Sequence, residues 1–119
     1  MTMKEMLAKS SSYQIGSSEF HLELKTYVKE DGPIAIQVWG EFGPEIRLTI
    51  NLPEFMDILE HNQIFVKHDQ IKYARPHLEA LGFVDTNKRV MYGNYSSIAE
   101  VWELPIVICD GNVNEILER

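Results

Sequence analysis

The sequence predicts an α+β fold, an antiparallel sheet of about four to six strands with short helices packed mainly on one face. Three observations lead there. From Phe20 to Leu52, apolar and polar residues alternate with a period of two in three runs separated by turn residues. Two later stretches change to helical spacing. Each strand has one apolar and one polar face, so helices need cover only one side, unlike a doubly wound parallel sheet with both faces buried.

In chain order, Met3, Met6 and Leu7 share one face of a short N-terminal helix over residues 1–9, and "SSSYQIGSS" then reads as irregular chain or a short edge strand. In the first strand Phe20, Leu22, Leu24, Thr26 and Val28 face one way and His21, Glu23, Lys25 and Tyr27 the other. "EDGP" (30–33) is a turn, after which Ile34, Ile36 and Val38 point inward and Ala35, Gln37 and Trp39 outward. This places Trp39 on a polar sheet face beside Tyr27. After "GEFGP" (40–44), the run "EIRLTINL" directs Ile46, Leu48, Ile50 and Leu52 to the core.

Pro53 has the fixed φ that suits a first helical turn, and Glu54 and Asp57 lie near the positive end of the dipole, so "PEFMDILEH" is expected to be a short helix burying Phe55, Ile58 and Leu59. "QIFVKH" (63–68) reads as a strand. Asp69 can cap the next helix and Gly82 can end it, but Pro76 removes a ladder bond, so regular winding is expected only from about 75 to 81. "FVD", "RVMYGNY" and "IAEVWELPIVIC" are further strand material, with "DTNK" as a turn and Pro105 interrupting the last run. "NVNEILER" closes the chain as a short helix or a tail.

The length, 119 residues, suits one domain over 1–119 that buries roughly two-thirds of its unfolded surface, with 1–18 as a loosely attached N-terminal segment. No apolar run approaches the ~20 residues of a membrane-spanning helix, and "MTMKEMLAKSSS" does not read as a secretory signal, so a cytoplasmic location is expected. The single cysteine, Cys109, cannot form an internal disulfide and is expected to be buried among Ile106, Val107 and Ile108.

The net charge of −7 is unevenly spread. Residues 30–60 carry seven acidic side chains and one basic, Arg47, whereas residues 61–99 carry five basic and three acidic. This balance argues against direct nucleic-acid binding, which needs clustered cations. The plainer account is that acidic loops maintain solubility.

No motif assigns a catalytic residue, a metal or a cofactor. His21, His61, His68 and His77 lack metal-ligand spacing, Cys109 has an acidic neighbour in Asp110, and the pairs Glu100/Glu103 and Glu54/Asp57 are of a kind common on solvated surfaces. What stands out is the acidic segment together with an outward tryptophan. Glu30, Asp31, Trp39, Glu41, Glu45, Glu54, Asp57 and Glu60 are the candidate partner-binding residues.

In "RLTINLPE" (47–54), "NQIFVKHDQ" (62–70), "LEALGFVDTNKRVMYGNY" (78–95) and "EVWEL" (100–104), the chain resembles a family of small bacterial proteins classed as a domain of unknown function and frequent on conjugative elements, plasmids and phages. The resemblance spans about residues 34–104. It implies genomic company and carries over no catalytic residue. The reading that follows is a non-enzymatic acidic module of a phage or mobile element with a protein partner, an inhibitor of a host defence nuclease of the anti-CRISPR or anti-restriction type. Two alternatives are a small ligand-binding domain or enzyme with a cleft near His68, Asp69 and His77, and an accessory subunit that homodimerises through the Trp39 face.

Overall fold

The structure is a computed structural model that describes residues 3–9, 12–27, 34–60 and 62–105. The expectations for the "EDGP" turn with Glu30 and Asp31, for Val28, for His61, for Cys109 and its apolar neighbours, and for the closing helix lie outside the described residues.

Helix α1 is Met3–Lys9, followed by strands β1 (Ser12–Ile15), β2 (Ser18–Thr26), β3 (Ile34–Gly40), β4 (Gly43–Arg47) and β5 (Gln63–Lys67), helix α2 (Ile71–Ala80), and strands β6 (Val84–Tyr92) and β7 (Ser97–Glu103). Pro53–Ile58 and His68–Gln70 are 3₁₀ segments. The class is α+β with antiparallel pairing throughout, and the strands divide between two sheets, ordered β1-β2-β3-β4 and β5-β7-β6.

The division follows from the run "EIRLTINL". Strand β4 ends at Arg47, yet the Leu48 N–H still donates to Ile36 O (2.9 Å) while the Ile50 N–H donates to Phe65 O (3.0 Å). One extended stretch therefore leaves the first sheet and joins the second. Between them lies Thr49, whose buried Oγ1 accepts the Ile36 N–H (3.1 Å) and bonds the Tyr27 hydroxyl (2.9 Å).

Alternation on the first sheet follows the sequence except at Ala35, which the pattern places outward and which is only 8% exposed. Ile34, Ile36 and Val38 are buried, Leu22 and Leu24 partly so, and His21, Glu23 and Lys25 are exposed. The main core joins this face to Ile64, Val66 and Trp102 of the second sheet, to Ala74 and Leu78 of α2, and to Met3 and Leu7 of α1. A second cluster lies on the other face of the three-stranded sheet, where Phe65, Val90, Ala99 and Val101 meet Leu52, with Ile50, Phe55 and Leu59 at its margin. Strands β5 and β7 are thus buried on both faces.

Three local expectations need correction. "PEFMDILEH" winds as a 3₁₀ segment with a kink at Phe55, lacks a side-chain cap, and leaves Ile58 38% exposed. So short a segment, begun by Pro53 and pinned by two half-buried side chains, has no free length to propagate an α-helix. Helix α2 instead begins at Ile71 and runs through Pro76, and Asp69 sits in the preceding 3₁₀ turn without capping it. Packing of Ala74, His77 and Leu78 outweighs the lost bond to Lys72 O, because Pro76 lies on the solvent side. "DTNK" stays within β6 as a register shift: Asn87 has φ +66°, its N–H donates to Asp85 Oδ1 (2.8 Å), and Thr86 Oγ1 donates to Val101 O (2.7 Å).

The end of α2 has the geometry its glycine foretold. With Gly82 at φ +94°, the Phe83 N–H donates to Leu78 O (2.9 Å) and the Gly82 N–H to Glu79 O (3.1 Å), a Schellman closure that turns Phe83 into the core. A β-carbon on Gly82 would meet only ordinary contact with Leu104, so its cost is conformational. Gly82→Ala is expected to lower stability by about 1–2 kcal/mol, the penalty of a left-handed L-residue, as a shifted denaturation midpoint with an unchanged slope.

Candidate functional site

The acidic residues fall into two groups at opposite ends of β4. Glu54, Asp57 and Glu60 line the outward side of the segment that follows Leu52, whereas Phe55, Met56 and Leu59 on its other side are half-buried. None of these three carboxylates makes an ion pair among the described residues. Glu41 is exposed at the β3–β4 turn beside Phe42, which is 97% exposed.

Glu45 is a special case. Val38 pairs with Ile46 and Trp39 with Pro44, so Glu45 is the extra residue of a bulge. Its carboxylate lies over Gly40, 3.1 Å from where a β-carbon would stand, next to the Phe20 ring. It remains exposed but leans toward the Phe20 side of the first sheet, away from the Arg47 face. Trp39 is partly buried and pairs with His21. Tyr27 lies six residues further along the chain from His21, on the order of 20 Å away at strand spacing, so the expected Trp39–Tyr27 pairing is corrected.

The two candidate histidines occupy different settings. His77, on α2, is 6% exposed and fills the space between α2 and the first sheet. Its Nδ1 lies 2.8 Å from the Tyr13 hydroxyl, and Phe20 meets its ring edge-on with centroids 4.7 Å apart. Burial pulls the His77 imidazole below its ordinary pKa, against the opposing effect of Glu45. Burial, reinforced by Glu45, pushes the Tyr13 hydroxyl well above the usual phenol range.

His68, by contrast, is exposed and stands on a buried acid. Glu100 is 2% exposed, so its expected place on a solvated surface is corrected. Its Oε2 lies 2.6 Å from His68 Nδ1, and its Oε1 accepts the Trp102 indole N–H (2.9 Å). Glu100 thus holds the His68 ring through Nδ1. Arg89 Nη2 is 3.7 Å from Glu100 Oε1, and both terminal nitrogens of Arg89 bond the Asp85 carboxylate at 3.1 Å. Burial pushes the Asp85 carboxyl up, but the Arg89 and Asn87 hydrogen bonds and the charges of Arg89 and Arg75 outweigh it and hold the group below its ordinary value. Arg75 lies over the Trp102 ring, 5.1 Å from its centroid, and closes the site from α2.

The sequence contained one signal for this network. Glu100 in the run "IAEVWEL", two residues before Trp102, shares a strand face with that tryptophan, whereas Glu103 falls on the other face. Tyr13 and His77 are 64 residues apart, and no local pattern joins them. Among the described residues, no group of three or more His, Cys, Asp or Glu side chains is arranged to hold a metal ion, and no helix is long and apolar enough to cross a membrane.

Comparison with family models, curated proteins and solved structures finds no match to this chain.

The depressed His77 pKa has a definite sign. The unfolded chain takes up this proton first as pH falls, so the contribution of His77 to stability is full above about pH 6.5 and declines below it. Stability measured by denaturant at pH 7, 6 and 5 is expected to decline, and His77→Gln is expected to flatten that decline. A slope unchanged by the substitution would remove His77 as its source.

Proposed function

We propose that this protein is a non-enzymatic protein-interaction module of a phage or other mobile element, which presents carboxylates to the phosphate-binding groove of a host nucleic-acid-processing enzyme and thereby inhibits a defence nuclease of the CRISPR or restriction type. The observation that carries the reading is the segment bearing Glu54, Asp57 and Glu60. Three exposed acids without described ion-pair partners sit within seven residues. Their backbone is fixed by Pro53 at its start and by Leu52, Phe55 and Leu59 packed on the second sheet.

An anionic group held in place loses little conformational freedom when it meets a cationic groove, and complementary charge raises the encounter rate. Glu41 with Phe42 at the far end of β4 offers a second contact of acid and aromatic. Glu45 is assigned a lesser part, because it leans toward Phe20, and Trp39 contributes only its exposed portion.

A second reading, a small ligand-binding domain or enzyme, draws its support from His68, an exposed imidazole oriented by a buried carboxylate. Such a pair suits proton transfer at Nε2.

The test is inhibition of DNA cleavage by a panel of purified CRISPR nucleases and restriction enzymes at low and physiological salt. Inhibition of at least one of them is expected, weakening about tenfold or more as screening increases. The triple variant Glu54→Lys, Asp57→Lys, Glu60→Lys is expected to lose it. Absence of inhibition across the panel, or inhibition indifferent to both salt and charge reversal, contradicts the proposal.

A further inference from the structure

The outer face of the first sheet is solvated, and its side chains form rows across the strands. Glu23, Gln37 and Arg47 are cross-strand partners on β2, β3 and β4, and in the next row Lys25 pairs with Ala35. A methyl group among long neighbours leaves a hollow. Ala35, 8% exposed, is the floor of a concavity of about 130 Å³ walled by Glu23, Lys25, Tyr27, Gln37 and Arg47. That is room for about four waters, well short of the ~300 Å³ at which pockets begin to enclose whole drug-sized ligands. One small charged group fits.

The walls are organised for an anion. Gln37 Nε2 donates to Val38 O and to Ile46 O, both at 3.1 Å, which commits both amide hydrogens and fixes Oε1. Oε1 accepts the Arg47 Nε–H at 3.1 Å. The guanidinium is thus held through Nε while its two terminal nitrogens have no partner among the described residues. Such an orphaned fork matches the paired oxygens of a carboxylate or phosphate.

Lys25 adds a second cation. It is only loosely paired with Glu23, at 3.9 Å, and the two side chains are 70% and 44% exposed, a geometry that contributes little. The Tyr27 hydroxyl does not compete, since it is bonded to Thr49. Arg47 is also the only basic residue between positions 30 and 60, where seven acids could have paired with it. No described carboxylate does.

We propose that the hollow over Ala35 is a binding site for a single oxyanion, the carboxylate or phosphate of a small ligand, gripped by the terminal nitrogens of Arg47 and drawn in by Lys25. The site is remote in kind from the acidic segment and stands whether or not that segment inhibits a nuclease. Glu23 on the opposite wall disfavours a second negative charge, so the ligand presents one oxyanion at a time.

The test is an NMR titration of the full-length, nitrogen-15-labelled protein with inorganic phosphate and, separately, with acetate, each to about 10 mM at constant ionic strength, enough to reveal a Kd near 1 mM. Saturable shifts are expected at the Arg47 Nε–H and the Gln37 side-chain amide with at least one probe, which also assigns the ligand class. Arg47→Gln is expected to weaken that binding about tenfold or more, Lys25→Ala to weaken it less, and Arg75→Gln to leave it unchanged. If Arg47→Gln does not give the wild-type spectrum elsewhere, the Lys25→Ala loss decides. Shifts that rise linearly with both probes, that spread equally over Lys72 and Lys88, or that persist in the variants overturn the proposal.

Discussion

Five residues, Leu48 to Leu52, tie the molecule together. They carry the chain from the edge of one sheet to the edge of the other in extended form, with the Leu48 N–H on Ile36 and the Ile50 N–H on Phe65. Their side chains divide between two apolar clusters, Leu48 in the main core and Ile50 and Leu52 in the second. Thr49 sits at the crossing, and loss of its buried hydroxyl would orphan the Ile36 N–H at a cost of about 1–3 kcal/mol. Because one short stretch bonds to both sheets and packs in both clusters, the two cores are expected to form together.

That constraint also positions the charged features. The crossing ends where Pro53 begins the acidic segment, so Glu54, Asp57 and Glu60 inherit the rigidity of the second cluster. Arg47 marks the other end, the last residue of β4 before the chain departs, and its guanidinium faces the outer surface of the first sheet beside Gln37. The acidic and oxyanion-binding surfaces are thus joined through one short stretch of backbone. The His68–Glu100 pair lies apart, on the α2 side of the second sheet.

The sequence disclosed most where a strand had one wet face. Leu22 and Leu24 alternate with exposed His21, Glu23 and Lys25 because only one side of the first sheet is buried, and their orientation could be read directly. On β5 and β7 both faces are covered, the period disappears, and Glu100 looked like a surface acid when it is enclosed by His68, Trp102 and Arg89. Pro76 misled for a different reason. Local preference argued for a late helix start, and the burial of Ala74, His77 and Leu78 overrode it.

For the candidate site, exposure of Glu41, Glu54, Asp57 and Glu60 was legible, but their separation was not, since it depends on where β4 ends. Nor could the lean of Glu45 toward Phe20 be read, because a one-residue bulge reverses the face on which a side chain emerges. The hollow over Ala35 requires the register of three strands at once, which no single segment specifies.

The most direct test of this account is native-state hydrogen exchange in increasing denaturant, comparing the Leu48 and Ile50 amides with those of Val38 in the first sheet and Val66 in the second. Convergence of all four on one opening free energy, lowered to the same extent everywhere by Thr49→Val, is the predicted result. Two distinct opening energies, with Thr49→Val loosening the first sheet while the second keeps its protection, would contradict it.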